Sequence, residues 1–140
     1  MNDDRKRART YLSQAYRLNQ RIDSKLLQLS QLKDMAVHVT TTMNDMKVQS
    51  SPDMQKMETT VLKIIEQEKT LNDEIDQLVD LKSEIKKVIE DVESPEQRFL
   101  LEERYLCFRS WEKIAAEMDY GIDNVFKLHQ KALATVEVPD

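Results

Sequence analysis

Glycine occurs once in this chain and proline three times. With so few backbone breakers and 34% charged residues, the composition points to an all-α, coiled-coil-like chain. Aromatic residues reach only 6% and tryptophan occurs once, so a large globular core is not expected. The longest uninterrupted apolar run is the four residues Tyr105 to Phe108. A membrane span and a signal-peptide core are both excluded by that brevity. A single cysteine, Cys107, rules out an internal disulfide and suits a reducing, cytoplasmic setting. Catalysis finds no footing either: two isolated histidines, no glycine loop for phosphate, no metal-spaced ligands and no Cys–His pairing are present. The expected protein is not an enzyme and holds no cofactor and no metal.

Positive charge is also scarce overall, the net charge being −5, but it is unevenly spread. Residues 1–36 carry eight Lys/Arg against four Asp/Glu, residues 37–93 seven against thirteen, and residues 94–140 six against nine. Uniform attraction to nucleic acid is therefore unavailable, and any DNA contact has to be local. Arg5, Lys6, Arg7 and Arg9 form a basic cluster behind Asp3 and Asp4. Two readings of it stand: a solvated helix start, or an arm that contacts phosphates.

What is abundant is helical periodicity. Tyr11, Ala15, Leu18, Ile22, Leu29, Leu32 and Ala36 follow steps of four and three, with Lys25 in the seam and Leu26 beside it. The stripe stops at His38, and residues 39–51 read as a connection. Ser51-Pro52-Asp53 then carries the signature of a helix start. The next seam is Met57, Val61, Ile64, Leu71, Ile75, Leu78, Ile85, Ile89 and Val92, interrupted by Glu68 and Lys82. Two helices of similar length predict an antiparallel coiled-coil hairpin over residues 1–93, with its loop at about 39–51. The second arrangement is a homodimer through the same surface, its register set by Lys25, Glu68 and Lys82.

Ser94-Pro95-Glu96-Gln97 repeats the start signal and marks a boundary, so residues 94–140 form a second domain. Phe99, Leu101, Tyr105 and Leu106 give a short helix one apolar face, and Cys107-Phe108-Arg109 breaks it before Ser110 caps the next. Trp111, Ile114, Ala115 and Met118 share a face; Val125, Leu128, Ala132 and Leu133 share another. Between them lies Asp119-Tyr120-Gly121, where Gly121 either takes a positive φ or caps a helix. His129 reads as a surface or half-buried residue. The expected unit is a three-helix domain with a helix-turn-helix at Trp111–Leu133.

The segment LEERYL…SWEKIAAEMDYGIDNVFKLHQKAL resembles region four of bacterial sigma factors. With YLSQAYRLNQRI and IDQLVDLKSEIKKVI, the whole chain is similar to a family of small proteins of Gram-positive phages and prophages, the ArpU/RinA-like late transcription regulators. The resemblance implies DNA binding at a promoter or operator in the host bacterial cell, with contact to host RNA polymerase. The implied DNA-binding residues are Ile122, Asp123, Asn124, Phe126, Lys127, Gln130 and Lys131. Asn124 is suited to adenine, Lys127 and Lys131 to phosphates, and Ile122 to a thymine methyl. Where the sigma pattern has arginine, this chain has Ile122 and Phe126, so guanine readout of the sigma kind does not transfer. The other reading is an adaptor that binds another protein through the coiled coil or the acidic surface of residues 58–93, without DNA.

Overall fold

The structure is a computed structural model that describes the backbone of residues 2–46 and 51–140 and the side chains of residues 3–38 and 54–140. It is all-helical, with no strand among the described residues. The helices are α1 (Asn2–Leu12), α2 (Gln14–Met46), α3 (Ser51–Glu90), α4 (Pro95–Leu101), α5 (Trp111–Met118) and α6 (Ile122–Thr135). A single π-helical turn, Glu102–Leu106, follows α4 directly. No described helix is long and apolar enough to cross a membrane.

Two differences from the expected elements have local causes. α1 and α2 part at Ser13, although Ser13 N–H still donates to the Arg9 carbonyl (2.9 Å). The Gln14 side chain donates to the Tyr11 carbonyl at 2.9 Å, taking up an acceptor that the helix ladder would otherwise use. Residues 39–46, expected in a loop, belong to α2. Their threonines cost only tenths of a kcal/mol each in a helix, and no Gly or Pro stands among them to stop it. The remainder of that expected loop, residues 47–50, lies outside the described residues, as does the Ser51 capping side chain.

The chain divides into two compact units, Gln20–Gln77 and a discontinuous one made of Met1–Asn19 with Leu78–Asp140. The division therefore does not follow the expected boundary at Ser94. In the Gln20–Gln77 unit, Ile22, Leu29 and Leu71 are buried. Lys25 forms an ion pair with Glu74, and Lys33 Nζ lies 3.5 Å from a Glu68 carboxylate oxygen. Numbers rising along α2 thus meet numbers falling along α3. The seam runs through Glu74 where Ile75 was expected: the Glu74 side chain is 14% exposed, while Ile75 and Val61 face solvent. Lys25 on the facing helix decides this, because a half-buried ammonium requires a carboxylate opposite it.

The discontinuous unit holds one core. Ala8, Leu12 and Ala15 meet Ile85, Ile89 and Val92 from the end of α3 and Leu100, Leu101 and Tyr105 from α4 and the π turn. Ile114 and Ala115 of α5 and Val125, Ala132 and Leu133 of α6 complete it. Each fully buried Leu or Ile contributes roughly 1.5–3 kcal/mol, which makes this cluster the main source of the unit's stability. Leu100 is fully buried and Phe99 is exposed, the reverse of the expected face. Leu100 and Leu101 both enter the shared core, so two adjacent positions of α4 turn inward. Ser94 Oγ accepts from Gln97 N–H (3.3 Å), as the capping pattern predicts. The Gln97 side chain does not reach back to complete a capping box; its Oε1 accepts from Thr135 Oγ1 at the end of α6 (3.3 Å).

Candidate nucleic-acid interface

The route from α4 to α5 is set by four local devices. In the π turn, Cys107 N–H donates to the Glu102 carbonyl five residues back (3.0 Å), which inserts one residue into the helical register. Phe108 follows in the left-handed region (φ 59°) and ends the helix. Arg109 ties the segment to α5, its Nε lying 2.6 Å from Glu103 and its Nη1 2.5 Å from Glu117. Ser110 then caps α5, its Oγ accepting from Lys113 N–H at 3.2 Å.

α5 ends in a Schellman-type closure. Tyr120 N–H donates to the Ala115 carbonyl (3.0 Å) and Asp119 N–H to the Ala116 carbonyl (3.3 Å). The left-handed residue is Asp119 (φ 58°, ψ 40°), not Gly121. Aspartate tolerates that conformation better than most side chains, so the glycine is released for another task. Gly121 has φ −69° and ψ 155° and serves as the N-cap of α6, with no residue beyond its chain neighbours within 4 Å of where a Cβ would stand. Of the two roles expected for Gly121, the cap is the one taken.

α6 buries Val125, His129, Ala132 and Leu133, with Leu128 half-buried. Ile122, Asp123, Asn124, Phe126, Lys127 and Lys131 are exposed. Gln130 is half-buried, because α1 packs on α6 and Arg5 Nη1 donates to Gln130 Oε1 at 3.4 Å. Phe126 is exposed but engaged, meeting Trp111 edge-on at 5.6 Å between ring centres. The seven residues therefore share one helix but not one environment: Phe126 and Gln130 border neighbours, and the other five face outward.

Below Phe126 lies a polar pair that periodicity did not reveal. His129 is buried, against the expectation of a surface or half-buried residue, and its Nε2 is 2.6 Å from the Tyr105 hydroxyl. Burial first, then the positive charges of Arg9 and Arg104, lower the His129 pKa from 6.5 to about 4. Burial also raises the Tyr105 hydroxyl to about 12, with the same two arginines acting in the opposite direction. Both groups are thus neutral near pH 7, and the tautomer of the imidazole sets which of the phenol and Nε2 donates. The hydrogen bond offsets the cost of placing a histidine on the apolar face of α6.

Tyr105 and His129 form part of a cleft of about 330 Å³. Arg9 and Ser13 line it from the N-terminal helices, Arg104 and Phe108 from the π turn and its exit, and Trp111 and Phe126 from α5 and α6. The Arg104 guanidinium sits 4.4 Å from the centre of the Trp111 ring and donates to the Arg109 carbonyl (3.0 Å). Among the described residues, neither Arg9 nor Arg104 pairs with a carboxylate.

No protein-family model matches this chain, and neither curated proteins nor solved structures give a match. Arg9, Arg104, Tyr105 and His129 are the residues of this region that the sequence reading did not assign. Arg9 belongs to the basic cluster of residues 5–9, and Arg104 and Tyr105 lie in the segment that resembles sigma region four. Neither carried a signal that α1 returns to the face of α6.

Proposed function

We propose that the protein is a phage-encoded transcription regulator that binds duplex DNA through α6, with α5, the Asp119–Gly121 connection and α6 acting as a helix-turn-helix. The supporting observation is the packing of the basic α1 against α6, which brings Arg5 to Gln130. Sequence position alone separates these charges from α6 by more than a hundred residues, and the region around α6 is by itself acidic. With α1 alongside, Arg5 stands beside a helix that presents Asn124, Lys127 and Lys131 to solvent. Phosphate contacts of this kind supply affinity, while the side chains at the start of α6 meet base edges.

The test is fluorescence anisotropy with a duplex selected by the protein from a random pool. Lys127→Glu weakens binding about tenfold or more and lowers the dependence of log Kd on log salt by about 1, with helical circular dichroism intact. Unchanged affinity and salt slope in that variant would overturn the assignment.

A second reading is an adaptor that contacts host RNA polymerase, another protein or a second copy of the chain. It draws on Leu27, Leu62 and Ile65 of the Gln20–Gln77 unit, each about 60% exposed, where an antiparallel coiled-coil hairpin offers a long flank to a partner. Retention of a protein partner from nuclease-treated lysate, together with no selected duplex, supports this reading over the first.

A further inference from the structure

The cleft between the N-terminal helices, the π turn and α6 has a composition that duplex binding does not call for. No acidic side chain among the described residues lines it, although two guanidiniums do. Arg9 reaches it from α1 and Arg104 from the π turn, and no carboxylate among the described residues neutralises either. Their joint field is felt at His129, where both act to disfavour a third positive charge.

The remaining lining is aromatic. Tyr16 meets Phe108 edge-on at 5.6 Å, and Trp111 meets Phe126 edge-on at 5.6 Å and His129 at 4.6 Å. These rings border one cavity, and Tyr16 and Phe126 each leave about two-fifths of their surface open. Trp111 carries the Arg104 guanidinium over its ring and Phe108 the Lys82 ammonium, so the open aromatic surface is that of Tyr16 and Phe126. Ser13 adds a hydroxyl able to donate or accept. The volume of about 330 Å³ lies at the small end of ligand sites, enough for one ring system with a polar substituent.

We propose that this cleft is a nucleotide site, holding one planar base against Tyr16 and Phe126 and its phosphate between Arg9 and Arg104. Guanidinium pairs recognise phosphate through directed, charge-assisted hydrogen bonds, and aromatic faces accept a base without regard to its sequence identity. The same chemistry is presented by a free mononucleotide and by an unpaired residue of a single strand. The site does not depend on α6 reading a duplex, because Lys127 and Lys131 are not among its lining residues.

The sole tryptophan stands in the cleft and reports occupancy directly. The full-length protein is titrated with adenosine monophosphate, adenosine, inorganic phosphate and a short single-stranded oligothymidylate. Trp111 fluorescence is read in parallel with isothermal titration calorimetry, so that binding which leaves the indole unchanged is still detected. The expected result is saturable binding of the monophosphate or the oligonucleotide, at least tenfold tighter than adenosine or phosphate alone. Arg9→Gln, an exposed substitution, weakens it about tenfold or more with unchanged thermal melting; Phe126→Leu abolishes the preference for the monophosphate over inorganic phosphate. Tighter binding of the oligonucleotide identifies a strand as the source, and equal or weaker binding identifies the free nucleotide. The proposal is overturned by no saturable binding in either readout, by phosphate or adenosine binding as tightly as the monophosphate, or by Arg9→Gln leaving affinity unchanged. Lys127→Glu leaves monophosphate binding intact, so failure here is distinguishable from failure of duplex recognition.

Discussion

Replacing His129 by glutamine removes a group whose protonation the discontinuous core resists, and the size of that resistance can be worked out. In the unfolded chain an imidazole gains its proton near pH 6.5, whereas in the folded protein His129 does so only near pH 4. Between those values the unfolded state binds more protons, so acidification favours unfolding. The histidine's contribution is fully present above pH 6.5, is lost progressively as pH falls towards 4, and changes no further below that. A displacement of this size corresponds to about 3 kcal/mol, with a slope of at most about 1.4 kcal/mol per pH unit. Burial is its first cause, and Arg9 from α1 and Arg104 from the π turn add to it. Denaturant unfolding followed by Trp111 fluorescence reports on the unit that contains the histidine. Carboxylates titrate in the same range, so the informative quantity is the difference between the parent protein and His129→Gln at each pH. The parent protein should lose about 3 kcal/mol more than the variant between pH 7 and about pH 4. Parallel stability–pH curves for the two proteins would refute the reasoning.

Two further predictions concern packing. Leu100→Ala removes a fully buried side chain and should destabilise the protein by about 2–5 kcal/mol, whereas Phe99→Ala next to it should cost about 1 kcal/mol or less; thermal or chemical denaturation ranks them, and equal costs would contradict the burial pattern. Lys25→Met leaves Glu74 without its partner in a seam where its second carboxylate oxygen already lacks a hydrogen bond. The cost should be on the order of 1 kcal/mol, moderated because a third of the Lys25 side chain remains in water, and adding Glu74→Met should restore or exceed parental stability, as read by helical circular dichroism.

The helical class was legible because it follows from what the chain lacks. One glycine and three prolines leave few places to stop, and the two serines that precede helices at 94 and 110 both act as caps. The same rule, applied too narrowly, misread residues 39–46: three threonines resemble a loop locally but contain no actual breaker. Periodicity identified Ile22 and Leu29 but chose Ile75 over Glu74. It weighs each residue alone, and the position was decided by Lys25 on a different helix. His129 was missed for a related reason. An α6 face containing Val125, Ala132 and Leu133 has a vacancy at position 129 by its geometry, yet only the Tyr105 hydroxyl makes a histidine acceptable there. For the candidate interface, the exposed residues of α6 were legible from the helix repeat. Arg5 beside them was not, because its placement is a tertiary contact between the two ends of the sequence.

That pairing of sequence ends has a consequence for how the protein is made. Ala8, Leu12 and Ala15 leave the ribosome early, but Val125, Ala132 and Leu133, which complete the same core, follow more than a hundred residues later. At roughly 5–20 residues per second, the first helix spends on the order of ten seconds with its apolar face uncovered. Gln20–Gln77 intervenes, and its own contacts need nothing from the C-terminus. Once Lys25 has met Glu74, the residues at 20 and 77 are drawn towards each other, and the open loop separating the halves of the core becomes far shorter in effect. Prior closure of the inserted segment would lower the entropy cost of joining the two halves of the core. Weakening that segment should lower the yield of native protein during synthesis more than it lowers the stability of protein already folded.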